Sequence, residues 1–466
     1  MNILLTTSAA PIVSPFWTDE KRPPLGLGFL ISVLCNAGHK VFFIDNYLQP
    51  SNFLETDYLT AHQIDYVGIY ANTICYRDTR RMFNRLQWLR DKDIWKGKII
   101  VGGPHTSADL ESVPDFVDHI VIGEGEQAIL DVVSGHAPRI VQAPLIENLD
   151  ELPSPAWDYF VNLPYDFTAS WIPVEPVFTM NTSRGCPFRC TFCSVASVWG
   201  RRYRCFSAER TLNDVQYLVE EYGAKGIYFR EDNFTTNRRR VVEFCSGLLE
   251  RNIWIRWMCE TRVDSLDREL IELMHRAGCM AFYIGVESGS QRLLDFMRKD
   301  ITIEQIEAVF RWCNEIGVHT YASFIVGIPT ETPEERQQSR GFAKKIRATA
   351  TAFNIFVGIP RSPLYEHVLE HDLYEYIDDV GLVYLKGHDA LVDQFYGGDF
   401  RRKIPVPSHY RRSQELLLLG KRRESLRVLS KAILQQPLRH ELWRFLLVSF
   451  LARPVVNLLR RVEHLF

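Results

Sequence analysis

Two long stretches of the sequence alternate short apolar runs with amphipathic segments, and this rhythm constrains the fold more than any other feature. In residues 1–145 the apolar runs predict five β-strands, at Asn2–Thr6, Lys40–Asp45, Tyr66–Tyr70, Lys98–Val101 and His119–Ile122. Between the first two, Leu25–Gly38 predicts a helix that ends on glycine, a common helix cap. Strands that alternate with helices form a parallel sheet with helices on both faces. Residues 1–145 are therefore predicted to form a doubly wound α/β domain.

The same rhythm returns over residues 176–396. Six strands are predicted there, at Val177–Asn181, Gly226–Phe229, Trp254–Cys259, Met280–Ile284, His319–Phe324 and Ala352–Val357. Helices are predicted in the intervals, at Glu209–Tyr222, Arg238–Arg251, Asp267–Ala277, Ile303–Ile316 and Pro333–Ala348. Residues 146–175 carry prolines that mark turns and lack a sustained period, so they are predicted to be a linker. In residues 397–466 apolar residues recur at helical spacing, which predicts a helical C-terminal region.

Three cysteines after the first strand of the second stretch indicate a cofactor site. Cys186, Cys190 and Cys193 lie within eight residues, close enough to converge on one metal centre. A structural zinc needs four ligands and usually recruits a second Cys or His pair at similar spacing, which does not follow here. Cys thiolates also hold clusters of iron and sulfide, and three of them leave one iron open. An open iron favours catalysis, while a structural zinc or three buried apolar cysteines stay open as alternatives.

The spacing Cys-x3-Cys-x-Phe-Cys, with Phe192 before the last cysteine, resembles the signature of the radical S-adenosylmethionine (radical SAM) enzymes. The resemblance implies that the three thiolates hold a 4Fe-4S cluster and that S-adenosylmethionine binds the fourth iron through its amino and carboxylate groups. It also implies a partial (β/α)6 barrel, similar to a TIM barrel, for residues 176–396. Barrel enzymes place their chemistry at the carboxyl ends of the strands, so the S-adenosylmethionine pocket is expected there.

The resemblance implies contacts with S-adenosylmethionine for residues at these strand ends and in the cysteine motif. They are Phe192, Glu231, Asp232, Arg262, Glu287, Ser288, Gly327 and Ile328. Carboxylate and hydroxyl groups are expected to hold the amino and ribose groups, and the backbone near Gly327 is expected to hold the adenine. The alternatives are structural. Glu231 or Asp232 would then cap the helix that starts near Asn237, and Glu287 would pair with Arg262 in a buried network.

Turn-rich loops lie next to the strands of residues 1–145, at the edge where open α/β sheets bind ligands. The pattern resembles the Rossmann-like cobalamin-binding domain that precedes the radical domain in one branch of the family. The residues implied in cobalamin binding are Pro24, Leu25, Gly26, Leu27, Thr73, Gly102, Gly103, Pro104, His105, Gly123, Glu124, Gly125 and Glu126. The Asp-x-His-x-x-Gly motif that supplies a cobalt ligand in related domains is missing, so cobalamin is expected without a protein histidine on cobalt. Taken alone, the loops are equally explained as turns that close βα units.

Composition favours a reducing compartment. The 466 residues carry a net charge of −3 and ten cysteines, most of them scattered singly, which is not the framework of a secreted disulfide-bonded protein. No window reaches the roughly 18 apolar residues of a membrane span. The first residues are typical of a strand rather than of a signal peptide. We therefore expect a cytoplasmic protein.

The C-terminal region is strongly basic. Residues 401–466 carry 15 Lys or Arg and four Asp or Glu, a net charge of +11. A basic amphipathic helical region is typical of proteins that bind a membrane surface or an acidic partner. A helical bundle that closes the open side of the barrel is an equal alternative. Nucleic acid is not expected as a partner, because the sequence contains no known RNA-binding module and no aromatic stacking run.

The leading interpretation is a cobalamin-dependent radical SAM methyltransferase that acts at an unactivated carbon through a 5′-deoxyadenosyl radical. Its expected partners are a small-molecule or lipid substrate and a reducing electron donor of the flavodoxin or ferredoxin type. The same motifs leave open a radical SAM cyclase, ring-contraction or carbon–carbon coupling enzyme that acts on a lipid or natural product. A non-catalytic cobalamin or metal sensor is the alternative from another class.

Overall fold

The computed structural model describes residues 1–9, 20–378 and 380–400, together with residues 426, 427 and 430, but not the side chains of residues 393 and 396–400. The chain divides into two compact units. One contains residues 1–10 and 19–395, and the other contains residues 11–18 and 396–466. The second unit lies almost wholly outside the described residues, and so does the predicted helical region over residues 397–466. The first unit contains both predicted α/β domains.

The N-terminal domain is a parallel sheet of six strands. They are β1 (Asn2–Thr7), β2 (Lys40–Asp45), β3 (Tyr66–Tyr70), β4 (Lys98–Gly102), β5 (His119–Ile122) and β6 (Ile140–Gln142), in the order β2-β1-β3-β4-β5-β6. The helices are α1 (Leu25–Asn36), α2 (Tyr58–Ala61), α3 (Tyr76–Asp91), α4 (Pro104–Ala108) and α5 (Gly125–Val133). Strand order reverses between β1 and β3, which is where doubly wound sheets bind ligands. The five predicted strands are confirmed, and β6 is an additional short strand.

Alternate residues of each central strand enter two different cores, as the two-residue period of a strand requires. On β1, Ile3 and Leu5 pack on one face with α1 and α5, whereas Leu4 packs on the other face with α3. All three side chains are fully buried or nearly so. Helices therefore cover both faces of this sheet.

Residues 146–175 are packed against both domains rather than extended between them. They contain two short 3₁₀ turns, Leu149–Glu151 and Trp157–Tyr159. Trp157 lies edge-on against Phe178 of the second domain, with ring centroids 5.1 Å apart, and Phe160 lies edge-on against Phe43 of the first, at 5.3 Å. The predicted linker therefore contributes core residues that fix the two sheets against one another.

The second domain is built on another parallel six-stranded sheet, in the order β14-β13-β12-β11-β10-β7. The strands are β7 (Val177–Met180), β10 (Gly226–Phe229), β11 (Arg256–Thr261), β12 (Cys279–Glu287), β13 (His319–Val326) and β14 (Ala350–Ile355). The helices between them are α7 (Ala208–Tyr222), α8 (Arg238–Glu250), α9 (Arg268–Arg276), α10 (Gln291–Phe296), α11 (Ile303–Ile316) and α12 (Pro333–Lys345). This arrangement confirms the predicted α/β fold with its partial barrel.

Shorter elements complete the second domain. Strands β8 (Ser183–Arg184) and β9 (Arg204–Cys205) pair in antiparallel fashion on either side of α6 (Val195–Trp199). After the barrel come α13 (Pro363–Glu370), β15 (Tyr374–Ile377), β16 (Val383–Leu385) and α14 (His388–Phe400). Within the part of the chain that the structure describes, no helix is long and apolar enough to cross a membrane.

Candidate functional site

The three cysteines lie on one loop between β8 and β9. This segment, residues 185–203, is called the cluster loop below, and Cys186, Cys190 and Cys193 in it are free, partly exposed thiols. Towards the barrel, the backbone N–H of Thr191 donates to the carbonyl of Met297 at 2.8 Å. The loop is therefore anchored at its centre as well as at its paired ends.

The thiols are electrostatic neighbours. Burial, followed by the charges of Asp232 and Cys190, raises the pKa of Cys186. Burial together with the charge of Cys190 raises the pKa of Cys193 to about 11. Binding as thiolates therefore requires the release of these protons. Within residues 1–9, 20–378 and 380–400, no group of three or more His, Cys, Asp or Glu side chains forms a site for a single metal ion. Three neighbouring thiols without a fourth cysteine on the loop fit an iron–sulfur cluster with one open iron.

Arg262, directly after β11, lies against the cluster loop. Its guanidinium donates to Cys190 Sγ at 3.3 Å, to the Lys299 carbonyl at 2.6 Å and to both Asp264 carboxylate oxygens at 2.9 Å. It also lies over the Phe188 ring, 3.7 Å from its centroid. Arg262 is therefore part of a structural salt bridge and a donor to a cluster-loop sulfur, and its contact with S-adenosylmethionine stays a prediction.

Glu287, the last residue of β12, is buried and pairs with Lys299, whose Nζ lies 2.7 Å from Glu287 Oε1. The alternative pairing of Glu287 with Arg262 was wrong, because Lys299 lies nearer and Arg262 is directed to Asp264. Glu287 has a φ of +67°, a strained region for a residue with a Cβ. Ser288 is buried and bonded to Ser339 of α12 at 3.2 Å. Cofactor contacts of Glu287 and Ser288 stay predictions.

Glu231 and Asp232 follow β10 and differ in exposure. Glu231 is buried and accepts hydrogen bonds from the hydroxyls of Thr182, at 2.8 Å, and Ser183. Asp232 is exposed to solvent, although partial desolvation by the surrounding protein and then the Glu231 carboxylate raise its pKa. The alternative in which these carboxylates cap α8 was wrong, since the side chain of Asn237 caps that helix. Asp232 is thus a carboxylate available to a ligand near the thiols.

The loop after β13 and the aromatic residue of the cysteine motif complete the predicted pocket. Gly327 has a φ of +73° and donates its N–H to Glu331 at 2.7 Å, while Ile328 is buried. The ring of Phe192 is partly buried, and Lys299 Nζ lies 5.9 Å from its centroid. Lys299 therefore connects the cysteine motif to Glu287.

Glu260, near the end of β11, is a candidate site residue that was not predicted from the sequence. Tyr228 of β10 donates to its carboxylate at 2.9 Å, and burial raises the pKa of Glu260 to about 7. The side chain nevertheless keeps 29% of its exposure. Its position at a strand end was the available signal, but the hydrogen bond from Tyr228 depends on the pairing of β10 with β11.

At the edge of the N-terminal sheet, His105 is buried in hydrogen bonds. Its Nδ1 lies 3.2 Å from the Thr73 hydroxyl, its Nε2 lies 3.2 Å from the Ser112 hydroxyl, and its ring stacks on Tyr76 at 3.6 Å. Burial lowers the pKa of His105 to about 4. Both ring nitrogens have hydrogen-bond partners, and the contacts of His105 and Thr73 with cobalamin stay predictions.

Backbone geometry shapes the rest of this edge. Gly103 has a φ of +116°, and a Cβ there would lie 2.6 Å from the Ala71 carbonyl oxygen, so only glycine fits. Leu25 and Leu27 point into the core rather than outward. The remaining residues lie at the ends of helices or strands, namely Pro24, Gly26, Gly102, Pro104, Gly123 and Gly125. Their contacts with cobalamin stay predictions.

Glu124 and Glu126 are buried in ion pairs with two arginines of the second domain. Arg184 and Arg204, at the two ends of the cluster loop, donate to these carboxylates. Neither arginine was assigned a role from the sequence, because each lies 58 or more residues from its partner. Cofactor contact by the two glutamates stays a prediction, and their position next to the cluster loop is a finding.

Comparison with known proteins matches both domains. The model of the radical SAM superfamily matches residues 180–343, and that of the B12 binding domain matches residues 19–133. These spans contain the cluster loop with most of the barrel and most of the N-terminal sheet. The fold and the three-thiol loop thus define a radical SAM enzyme with a preceding cobalamin-binding type of domain.

An uncharacterised methyltransferase of Pyrococcus horikoshii is 31% identical in an alignment of 375 positions that covers 75% of this chain and 79% of that protein. The anaerobic magnesium-protoporphyrin IX monomethyl ester cyclase of Rubrivivax gelatinosus is 26% identical over 74% of this chain and 66% of its own length, just under two thirds. Among solved structures, the radical S-adenosylmethionine methyltransferase TsrM of Kitasatospora setae, with cobalamin and a [4Fe-4S] cluster bound, is 14% identical. It has a TM-score of 0.66 and covers 92% of this chain and 98% of that one. The chain belongs to the family of radical SAM enzymes that carry a cobalamin-binding domain.

Proposed function

We propose that this protein is a cobalamin-dependent radical SAM methyltransferase that methylates an unactivated carbon of a small molecule. The observation that carries the proposal is the donor set of the cluster loop, three neighbouring thiols on a loop anchored to both domains. The methyltransferase relative and the methyltransferase structure described above support the reaction type. When bound, the cluster, S-adenosylmethionine and cobalamin supply radical hydrogen abstraction and a methyl group.

The side chains near the thiols have defined tasks in this proposal. Cys186, Cys190 and Cys193 hold the cluster, and the Arg262 guanidinium donates to the sulfur of Cys190 and so stabilises its thiolate charge. Asp232, exposed and close to the thiols, would bind the amino group of S-adenosylmethionine. The other predicted S-adenosylmethionine residues, including Glu287, orient the cofactor by their position at the strand ends.

Anaerobic reconstitution of the full chain tests the proposal. Protein loaded with iron, sulfide and hydroxocobalamin is reduced with S-adenosylmethionine, and 5′-deoxyadenosine, S-adenosylhomocysteine and bound corrin are measured. We expect both products and bound corrin from the wild type, and neither product from Cys190→Ala. Cys35→Ala is the matched control, since Cys35 is an exposed thiol on α1 outside the cluster loop. Equal iron content in the wild type and Cys190→Ala would contradict the cluster assignment.

A cyclase or coupling enzyme is the second candidate function, favoured by the 26% identity to the cyclase. Such an enzyme forms a new bond within the substrate without transferring a methyl group. The same experiment separates the two functions, because a cyclase releases 5′-deoxyadenosine without S-adenosylhomocysteine. Both products together therefore support methylation.

The proposal extends to partners and location. Reduction of the cluster needs a one-electron donor, for which we propose a protein of the flavodoxin or ferredoxin type in the cytoplasm. We also propose that the basic residues 401–466, with a net charge of +11, contact an anionic membrane surface, which would suit a lipid substrate. Co-sedimentation of the full chain with anionic, but not with neutral, vesicles is the expected result. Equal sedimentation with both would contradict membrane contact through charge.

A further inference from the structure

The cluster loop is closed at its base by a short pair of strands, and both strands carry a buried arginine. In the pairing of β8 with β9, Arg184 is the register partner of Arg204. Their side chains keep only 10% and 4% of their exposure. Gly185 follows directly and has no room for a Cβ, because the Arg202 carbonyl lies against it. The base of the loop, hereafter the neck, is therefore tightly packed and carries two buried positive charges.

Two carboxylates of the N-terminal domain neutralise the neck. Glu126 Oε1 lies 2.5 Å from Arg184 Nη2, and Glu124 Oε1 lies 2.5 Å from Arg204 Nη2. Glu124 Oε2 is also 3.6 Å from Arg184 Nη1, so it bridges the two arginines. Both glutamates lie at the start of α5, where the helix dipole favours negative charge.

The network reaches beyond the four charges. Arg204 donates to the Ile146 carbonyl at 2.6 Å, and the Ile146 N–H donates to Glu124 at 2.6 Å. The Arg184 guanidinium lies 5.3 Å from the ring of Trp199, the last residue of the helix that follows Cys193. Loss of one partner would leave an uncompensated charge in a buried site, which folded proteins tolerate poorly. The network thus ties the two ends of the cluster loop and the end of α6 to the N-terminal domain.

We propose that Glu124 and Glu126 are positioning residues for the cysteines, acting through Arg184 and Arg204, rather than ligands of cobalamin. They fix the neck to the edge of the sheet where cobalamin is proposed to bind, so that the thiols keep one place relative to it. This inference rests on the proposed function, because it assumes a cluster on the three thiols. It explains why two glutamates of the first domain are buried in ion pairs with arginines of the second domain.

The test compares Glu126→Gln with wild type in full-length protein carrying the reconstituted cluster. Three quantities are measured: the electron paramagnetic resonance (EPR) spectrum of the reduced cluster, the rate at which a chelator removes iron, and the affinity of iron-free protein for hydroxocobalamin. We expect an altered, more heterogeneous spectrum and iron loss roughly tenfold faster, the usual scale for residues that orient metal ligands. Hydroxocobalamin affinity should stay within about twofold of the wild type, far below the tenfold scale of a lost contact.

Two further variants separate positioning from general destabilisation. Asp214→Asn breaks another buried ion pair, Arg210–Asp214 at 2.9 Å on α7, and should leave the EPR spectrum unchanged. The double variant Glu126→Gln with Arg184→Met leaves no charge unpaired and should fold, but it still lacks the tie between the neck and α5, so its iron loss should stay fast. Slow, wild-type iron loss in the double variant would show that an unpaired charge rather than the lost tie causes the defect, and would overturn the positioning role. The double variant also keeps the proposal testable if Glu126→Gln alone fails to fold.

The outcomes are distinct. An unchanged spectrum and iron-loss rate in Glu126→Gln, with hydroxocobalamin affinity reduced tenfold or more, would overturn the positioning role and make the glutamate a cobalamin contact. The same spectral change in Asp214→Asn would overturn it as well. A wild-type protein that takes up no iron would instead overturn the proposed function, and the inference with it.

Discussion

The ligand-binding edges of the two parallel sheets are built in different ways. The N-terminal edge consists of glycine-rich turns and a buried histidine whose ring nitrogens bond to hydroxyls. The barrel edge consists of charged side chains held by opposite charges, as in the Glu287–Lys299 and Arg262–Asp264 pairs. The first edge presents backbone turns and an uncharged imidazole, whereas the second presents charged groups that opposite charges hold in place. The difference fits the proposed pair of ligands, cobalamin and zwitterionic S-adenosylmethionine.

The largest expected loss of stability comes from a substitution that removes one charge of a buried ion pair at the barrel edge. Lys299→Met leaves Glu287 buried without its partner, which should lower the free energy of unfolding by about 3–5 kcal/mol. Denaturant unfolding of the cluster-free protein measures the loss. Lys345→Met is the control, because its pair with Glu307 is exposed and contributes about 1 kcal/mol or less. Adding Glu287→Gln to Lys299→Met should recover part of the loss. Equal losses in Lys299→Met and the control would mean that the buried pair does not stabilise this edge.

A smaller effect is expected where backbone shapes the edge. Gly103→Ala introduces a Cβ that meets the Ala71 carbonyl and forces a positive φ on alanine, which should lower the free energy of unfolding by about 1–3 kcal/mol. Gly26→Ala is the matched control, since a Cβ there meets no atom within 4 Å. The control should be neutral or stabilising by up to about 1 kcal/mol in helix α1. A neutral Gly103→Ala would show that the turn has other accessible conformations.

The smallest effect concerns the pH dependence of Glu260. Its pKa is raised to about 7 in the folded protein from 4.5, so the folded state binds the proton more tightly than the unfolded chain. The contribution of Glu260 to the free energy of unfolding is therefore fully present at low pH and is lost as the pH rises through about 7. Relative to Glu260→Gln, the free energy of unfolding of the wild type should fall by on the order of 1 kcal/mol between pH 5 and pH 8. The effect is small because water screens a partly exposed carboxyl.

Melting curves of both proteins across this pH range provide the measurement. Glu243→Gln on the surface of α8 controls for the removal of one negative charge. If the difference in melting temperature between the wild type and Glu260→Gln stays constant with pH, the pKa of Glu260 is not raised. The prediction sharpens the comparison because the nearest partner of Glu260 is the neutral Tyr228, at 2.9 Å, while the charged Arg230 lies 4.0 Å away.

Local signals carried much of the interpretation. The cysteine spacing placed all three thiols on one loop, and the strand positions were predicted to within a few residues. Trp254 marks such an error, since β11 starts at Arg256 and Trp254 is 81% exposed. Its apolar character predicted a strand start, but tertiary packing left it on the surface. The predicted strand ends were nevertheless accurate enough to place Glu231, Arg262 and Glu287 at the same edge of one sheet.

By itself, the sequence determined two parallel α/β sheets and a three-cysteine loop, because hydrophobic period and ligand spacing act over a few residues. Only the tertiary structure decided which charges meet. Lys299 rather than Arg262 reaches Glu287, and Glu126 reaches Arg184 across 58 residues of chain. Such pairs form where folding removes water from around both charges, and a buried charge then requires whichever opposite charge the packing has brought nearest.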